Sequence, residues 1–369
     1  MIDFTYTITD TMSGVPQAKI FPVPAPFSKA VNETAGNQTT IPVDASPFTA
    51  AELEQLTEDW SRSIVIALNG VDIYSGVIQD YDWDDESGML VLGHQDSRAI
   101  YGSRTTLGSN GYSGDQPSAN SLILNGYSLA SIPPWLSWAA TEGPTANYDF
   151  PVFIEEGKIT IDLLSSLNTP GPWNFEFWDH DFPFVNEQFR RLQALGLEID
   201  LEPRVNSVGD HELLLRSGKL AGGTFDFNLT QPKCPIGKLR VRRNSQRRAN
   251  VIYSVGKGAG QTMMVTTSRA EPTGVALELA EAFKEIDDPV NLQALSDENL
   301  ATLRKPIRQW EFDLPLDYGP GIEKIRFGSL FRIYSRDHKV IQNGWNEMRY
   351  LGYEIDPTKA RARMTVQDA

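Results

Sequence analysis

The acidic run Asp80–Glu86 has the residue spacing in this sequence that comes nearest to metal-binding chemistry. Its D-x-D-x-D pattern is that of the start of a calcium loop, in which carboxylate oxygens ligate the ion. Such a loop also requires a glycine at its sixth position and a glutamate at its twelfth, where this chain has Asp85 and Val91. We therefore interpret the run as a solvated hairpin strand and turn, and assign no metal to it.

Asp179, His180 and Asp181 offer a second set of metal ligands. Adjacent side chains on a strand point to opposite faces, so the three groups do not easily converge on one ion. They precede Phe182-Pro183 and suit the capping of a following helix.

The segment Gly256–Thr262 (GKGAGQT) superficially resembles a phosphate-binding loop. It lacks the final Lys-Ser/Thr, and a strand-like run, MMVTTS, follows it where a phosphate loop requires a helix. The sequence predicts a glycine hairpin around Gly256–Gly260.

The run LRVRRNSQRR at 239–248 is strongly basic in an acidic chain, where 48 Asp and Glu outnumber 33 Lys and Arg and give a net charge of −15. It either meets an acidic neighbouring subunit or forms a solvated strand and loop. Replacing Arg242 and Arg243 by Glu weakens assembly in the first case and leaves it unchanged in the second. A protein this acidic is not expected to bind phosphate backbones through a basic surface.

No motif commits the chain to catalysis. The single cysteine, Cys234, excludes disulfide scaffolds and cysteine-rich metal sites, and the four histidines (His94, His180, His211 and His338) lie far apart in the sequence. Carboxylate pairs for sugar hydrolysis can be chosen at will from so many acids, so their presence carries no weight. We expect no enzymatic activity and assign no catalytic, cofactor-binding or metal residues.

The length and composition predict several lobes with real cores. The chain has 369 residues, which is too long for one simple domain. Hydrophobic residues make up 40% of it, enough to form buried cores. No apolar run approaches the roughly 18 residues of a membrane span, and the N-terminus has no secretory pattern, so no membrane anchor is expected.

In the first hundred residues apolar and polar residues alternate, a pattern that indicates β-strands. Two β-branched runs flank Asn69-Gly70, a pair that favours a type I′ hairpin, so Gly70→Val is expected to damage folding. A second turn at Asp85–Gly88 leads into another strand, and a short helix is predicted from about Thr49 to Trp60. With the N-terminal strands, this meander is predicted to close a small barrel ending near Arg104.

The middle of the chain is rich in Gly, Ser, Asn and Pro between about Thr105 and Asn147, which indicates an ordered excursion or linker. A strand pair turning at Glu156-Gly157 follows. A helix is predicted to begin at Pro183 and to end at Gly196, within a small α+β unit.

From Thr224 apolar and polar residues alternate again, as in strands, and two regions with helical patterns interrupt this alternation. Residues 274–286 (GVALELAEAFKEI) predict a helix, and Asp288-Pro289 and Ser296 mark further helix starts before Pro306. The fold class is therefore mainly β with an α+β insertion. We expect two antiparallel β-barrel domains, 1–104 and 224–369, the second including helices over 274–305. Between them lie a linker or insertion, 105–172, and a small α+β insertion domain, 173–223.

The order of these segments resembles the minor tail proteins, or tail hubs, of long-tailed bacteriophages that infect actinobacteria. The resemblance rests on ITDTMSGVPQAKI and PFSKAVNETAGNQTTIPV, in which Val31 replaces the usual leucine, and on the hairpin IVIALNGVDIYSGVIQDYDWDDESGMLVLGHQD. It continues near the C-terminus in DDPVNLQALSDENLATLRKPIRQWEFDL, LFRIYSRDH and MRYLGYEIDP.

This family resemblance implies a structural virion protein without catalytic residues or cofactors. It implies a homotrimer of paired β-barrels at the distal tail tip, which adapts a sixfold tube to a threefold tip and forms part of the DNA ejection channel. The implied partners are tail-tube proteins above and tip, fibre or tape-measure proteins below, and DNA only in passage through the lumen.

The alternative is a carbohydrate-binding or carbohydrate-cleaving protein of the tail tip. Such a glycan reader exposes aromatic platforms, with Trp135, Trp138, Trp173 and Trp178 as candidates, whereas a hub buries them in cores or subunit contacts. In the hub interpretation we expect Trp83 and Trp310 in barrel walls, and Trp135 or Trp138 at a contact.

Overall fold

The computed structural model describes residues 2–106, 122–141, 150–178, 181–271 and 274–369. Within these residues the chain is mainly β: 22 strands form five sheets, and five α-helices accompany them. The predicted fold class is confirmed in this respect.

The N-terminal sheet has six antiparallel strands in the order β2-β1-β5-β6-β7-β4. Asn69 and Gly70 have φ angles of 52° and 82°, so the predicted positive-φ hairpin turn joins two of these strands. The first seven strands and the first helix are β1 Phe4–Asp10, β2 Pro16–Ile20, β3 Phe27–Ala30, β4 Gly36–Pro42, α1 Ala50–Leu56, β5 Arg62–Leu68, β6 Val71–Asp84 and β7 Met89–Asp96.

The middle lobe combines a four-stranded sheet, in the order β10-β9-β13-β12, with a two-stranded sheet of β8 and β11. Three helices pack on these sheets around a separate core. Its elements are β8 Leu122–Tyr127, α2 Ile132–Thr141, β9 Val152–Ile154, β10 Gly157–Lys158, α3 Ile161–Ser166, β11 Trp173–Phe177, α4 Val185–Ala194, β12 Glu198–Val205 and β13 His211–Gly218.

The C-terminal sheet has seven strands, one of which comes from the beginning of the chain. Six follow the order β14-β20-β21-β22-β19-β15, and β3 pairs with β21 in an antiparallel manner. The six strands are β14 Thr224–Asn228, β15 Gly237–Asn244, β19 Ile307–Pro315, β20 Leu330–Ser335, β21 Gly344–Asp356 and β22 Arg361–Asp368.

A small three-stranded sheet, in the order β17-β16-β18, lies between β15 and β19 in the chain, together with helix α5. Its bounds are β16 Val251–Val255, β17 Val265–Arg269, β18 Glu278–Ala282 and α5 Pro289–Leu303. The helix predicted over 274–286 is wrong, because residues 278–282 form a strand parallel to β16. Leu279 and Glu281 are its half-buried positions, so pairing with β16 overrides the helix propensity of Ala, Leu and Glu.

One hydrophobic core joins the N-terminal and C-terminal sheets. The same cluster contains Ile8 and Tyr74 from the first sheet and Trp310 and Tyr350 from the last, all almost fully buried. None of the sheets in the described ranges closes through strand pairing, and an isolated bridge joins Val23 to β4, so the mainly β class stands while closed barrels are not confirmed.

Several predicted element ends are shifted. Helix α1 ends at Leu56 rather than near Trp60, and α4 begins at Val185, two residues after Pro183. Ser296 lies within α5, whose start is capped by Asp288, and a helix over Ile161–Ser166 replaces the end of the predicted strand pair. Among the described residues, none of the helices combines the length and the apolar character needed to cross a bilayer.

Candidate functional site

The segment Phe27–Asn32, which we call the arm, connects the three parts of the molecule. Its first four residues are the strand that pairs with β21 of the C-terminal sheet. Asn32 continues from it to the middle lobe, where its side-chain oxygen accepts from the Ile199 amide at 2.9 Å and its amide donates to the Leu197 carbonyl at 3.2 Å. The φ angle of Asn32 is 68°, a left-handed conformation that asparagine adopts more readily than most residues.

Lys29 lies on the arm between two buried carboxylates. Its ammonium is 3.0 Å from Asp200 Oδ1 of β12 and 3.9 Å from Asp96 Oδ2 of β7, and the three side chains are at most 5% exposed. It also donates to the Leu201 carbonyl and lies over the Phe327 ring. A buried ammonium is expensive to desolvate, so these partners are what make the position tolerable.

The pKa values of this buried cluster follow from its geometry. Burial by itself lowers the pKa of Lys29, but the carboxylates of Asp200 and Asp96 outweigh it and hold the pKa above its ordinary value. Burial raises the pKa of Asp96, against the opposing effect of the Lys29 ammonium. The cluster is therefore a structural ion network whose charges depend on one another.

Strand β12 presents a hydrophobic face to the middle lobe and an acidic face to the rest of the molecule. Ile199 and Leu201 are buried in the core of the lobe. The acids at the alternate positions each meet a cation from another element: Glu198 binds Arg349 of β21, Asp200 binds Lys29, and Glu202 binds Arg326 and Arg216. This acidic face joins the middle lobe to the C-terminal sheet, and Lys29 extends the contact to Asp96 of the N-terminal sheet.

A second contact between the N-terminal sheet and the middle lobe involves His211 of β13. Its Nδ1 lies 2.5 Å from Asp72 Oδ2 of β6, and its amide donates to the Gly14 carbonyl at 2.9 Å. A Cβ at Gly14 would lie 1.9 Å from the His211 carbonyl oxygen, and φ at Gly14 is +73°, so only glycine allows this approach.

A cleft of about 350 Å³ opens beside the Lys29 cluster. Lys29, Asp200 and Glu202 line one part of it, and Tyr350 and Tyr353 another. Lys29 pairs with Asp200 and Glu202 with Arg326, which favours a structural joint over a catalytic cleft. Glu323 Oε2 on the same lining is buried without a hydrogen-bond partner among the described residues.

The outer face of the C-terminal sheet is basic. We call it the basic face; it consists of Lys238, Arg240 and Arg242 of β15 and Arg361 and Arg363 of β22, whose side chains are 50–69% exposed. Three carboxylates lie among these five cations: Glu311, Asp313 and Glu354. The face keeps an excess of positive charge on a chain of net charge −15.

The end of the β6–β7 hairpin is acidic and exposed. We call Asp80–Glu86 the acidic hairpin; its residues are exposed throughout. Tyr81 and Trp83 are 55% and 42% exposed, and they pair across the strands with Leu92 and Leu90. The described residues contain no group of three or more acidic, histidine or cysteine side chains arranged to hold a metal ion.

The other two candidate motifs have different outcomes. Asp179 and His180 lie outside the described residues. The glycine segment 256–262 connects β16 to β17, as the predicted hairpin requires. The Gly256 and Lys257 amides donate to the carbonyls of Met264 and Ile286, so these groups serve the fold rather than a phosphate.

The eight tryptophans are divided between cores and surface: three are buried, one is half-buried, and Trp60, Trp83, Trp178 and Trp345 are exposed. Trp135 and Trp173 lie in the core of the middle lobe, and Trp138 is half-buried against it. Trp310 and Trp83, both expected in barrel walls, lie on strands of sheets that do not close; Trp310 is fully buried in the core shared by the two large sheets, and Trp83 is exposed. Trp178 is 36% exposed and donates to Glu176 Oε2.

The Lys29 cluster and the acidic face of β12 were missed by sequence reasoning. A signal for the second exists: in LEIDLEP the acids Glu198, Asp200 and Glu202 alternate with apolar residues, which places a charged row on one face of a strand. Lys29 has no such signal, because only the fold reveals that this lysine is buried.

Neither a protein-family model nor a curated protein matches this sequence. Solved structures do match its fold over nearly the whole of both chains. A tail protein from Neisseria meningitidis MC58 is 10% identical, with a TM-score of 0.59 over 99% of this chain and 96% of that one. A 43 kDa tail protein of prophage MuSo2 from Shewanella oneidensis is 11% identical, with a TM-score of 0.57 over 99% and 98%. A prophage tail protein from Listeria monocytogenes EGD-e is 11% identical, with a TM-score of 0.55 over 99% and 94%. The chain thus has the fold of phage tail proteins.

Proposed function

We propose that this chain is a structural protein of a phage virion, a trimeric tail hub at the distal end of the tail tube. The observation that carries the proposal is the match of the whole chain to tail proteins over 94–98% of their own lengths. A match of this extent covers the two large sheets, the middle lobe and their connections together, rather than one common module.

The contacts between the parts of the chain support a role as a rigid structural component. The arm adds a strand to the C-terminal sheet, and the acids of β12 bind cations from three different elements. Main-chain pairing and buried ion pairs both resist relative movement, since separating them leaves polar groups unpaired. A tail component that transmits force during ejection needs such rigidity.

In this role the chain adapts a sixfold tube to a threefold tip and encloses part of the DNA ejection channel. Two large sheets per chain give six per trimer, a number that matches the tube. Three chains of net charge −15 carry −45, and acidic groups facing a lumen repel the phosphates of passing DNA. The partners are tube proteins above and tip, fibre or tape-measure proteins below.

The alternative of a glycan-binding or glycan-cleaving protein receives less support. Of the four tryptophans that would form a platform, Trp135 and Trp173 are buried and Trp138 is half-buried. The charged groups Lys29, Asp200, Glu202 and Arg326 of the 350 Å³ cleft are held in ion pairs.

Electron microscopy of the purified, concentrated chain tests the proposal. We expect closed rings with threefold symmetry and a central opening. Compact single particles without an opening, at high micromolar concentration, would argue against a hub.

A further inference from the structure

We propose that the acidic hairpin of one chain docks on the basic face of a second copy of the same chain. This inference rests on the proposed function, because it names the surfaces through which the hub closes. It is carried by the opposite charge, the matching strand geometry and the exposure of the two surfaces.

The two surfaces carry charges of opposite sign at the same spacing. Asp82 and Asp84 lie two residues apart on β6, and Arg240 and Arg242 lie two residues apart on β15. Residues two apart on a strand are separated by about 6.8 Å and point to the same side. Two carboxylates on one strand can therefore face two guanidinium groups on the other without distortion of either backbone.

Both surfaces carry charged groups that contacts within the chain do not fully neutralise. Among the described residues, no ion pair involves the five carboxylates of Asp80–Glu86, whereas the five cations of the basic face share only three carboxylates. The strands also have free edges: β15 ends its sheet, and the pairing of β6 with β5 stops at Val77, before the acidic hairpin begins.

The end of the hairpin also carries apolar surface suited to a contact. Alternation places Tyr81 and Trp83 on the opposite side of β6 from Asp82 and Asp84, where both rings are largely exposed. Aromatic side chains are enriched in protein interfaces, where they supply buried area that ion pairs do not. Pairing of the free edge of β15 with the free edge of β6 covers both kinds of group, because a neighbouring strand presents side chains on both faces of a sheet.

The contact is heterologous, because the two surfaces lie on different sheets of one chain. Each copy then offers its hairpin to one neighbour and its basic face to the other, an arrangement that closes into a ring when the rotation fits. A local pairing of opposite charges offsets part of the overall repulsion between chains of net charge −15.

Charge reversal tests the contact, with native mass as the readout. Arg240→Glu with Arg242→Glu places carboxylates opposite the acidic hairpin, and Asp82→Lys with Asp84→Lys places ammonium groups opposite the basic face. We expect each double variant to lose the trimer, and the variant with all four changes to regain it. The trimer of the unchanged chain is also expected to weaken as salt is raised, because exposed ion pairs are screened.

Arg336→Glu with Lys339→Glu is the matched control for Arg240→Glu with Arg242→Glu. It changes the net charge by the same amount, at exposed positions in the loop between β20 and β21. Thermal melting of every variant checks that the fold is kept, which matters because Arg242 also pairs with Glu311.

The outcomes separate the inference from the proposed function. If the unchanged chain is a trimer and both folded double variants remain trimers, the docking inference is wrong and the hub stands. Folded double variants that dissociate without rescue by the fourfold variant also overturn it, because the basic face then meets a different partner surface. If the unchanged chain stays a monomer, both proposals fail.

Discussion

At the scale of single residues, Lys29 connects three sheets through charge. Its ammonium lies between Asp96 of the N-terminal sheet and Asp200 of the middle lobe, while its backbone belongs to a strand of the C-terminal sheet. Because the whole group is buried, removing the cation leaves two carboxylates facing each other in a poorly solvated place.

We expect Lys29→Met to lower the free energy of unfolding by about 3–5 kcal/mol, the cost of breaking a buried pair by removing one partner. Urea denaturation measures it. The control is Arg332→Met, which removes an exposed partner of Asp226 and is expected to change stability little. Equal effects of the two substitutions would contradict the role given to Lys29.

His94 gives the fold a pH dependence. Its ring bonds to Thr39 and Tyr74, and burial lowers its pKa from 6.5 to about 4. The unfolded chain therefore binds a proton between pH 6.5 and 4 that the folded chain does not, so His94 removes stability as pH falls through this window. The loss over the window is roughly 3 kcal/mol, from 1.36 kcal/mol per pKa unit.

His94→Gln is expected to flatten the stability profile between pH 6.5 and 4, measured by denaturation at a series of pH values. His338→Gln changes an exposed histidine and serves as the control. A profile for His94→Gln as steep as that of the unchanged chain would show that the histidine titrates normally in the fold.

Residue chemistry was predictable from the sequence only where the pattern is local. The calcium-loop and phosphate-loop patterns could be rejected from positions within a dozen residues, and the acidic hairpin is exposed as interpreted. The Lys29 cluster joins residues 29, 96 and 200, which no local pattern relates, so its partners emerge only once the sheets are assembled.

At the scale of elements, the hairpin turn at Asn69-Gly70 illustrates a local rule that holds. Gly70 has φ +82°, and a Cβ there meets no atom within 4 Å, so the cost of a side chain is conformational. Gly70→Val is expected to lower the free energy of unfolding by about 1–2 kcal/mol, the cost of a left-handed conformation.

Gly36→Val is the control for this prediction. Gly36 is equally open and lies on β4 without a positive φ, so valine is tolerated there. Thermal melting of the two variants separates conformational strain from the added side chain. Identical melting temperatures would contradict the strain argument.

Strand β18 shows where local propensity fails. Residues 274–286 contain the Ala, Leu and Glu of a good helix, yet 278–282 pair with Val251–Val255, about 27 residues earlier. Helix α5 was predictable because its signals are local: Asp288 accepts from the Asn291 amide as an N-cap, and Pro289 occupies the first turn. The crossing of β3 into the C-terminal sheet has no local signal at all.

At the scale of the whole molecule, the sequence predicted the mainly β class and a tail-protein resemblance, and the fold match agrees with both. The shared core of the two large sheets could not be foreseen, because alternation shows that a strand has a buried face but not which sheet covers it. The division at residues 104, 172 and 223 stays a prediction.

The native mass of the purified chain, measured by light scattering at high micromolar concentration, tests the central claim most directly. A hub of three 41.1 kDa chains predicts a mass near 123 kDa, falling toward that of the single chain on dilution or at high salt. A mass of 41.1 kDa that does not change with concentration would contradict the trimeric hub.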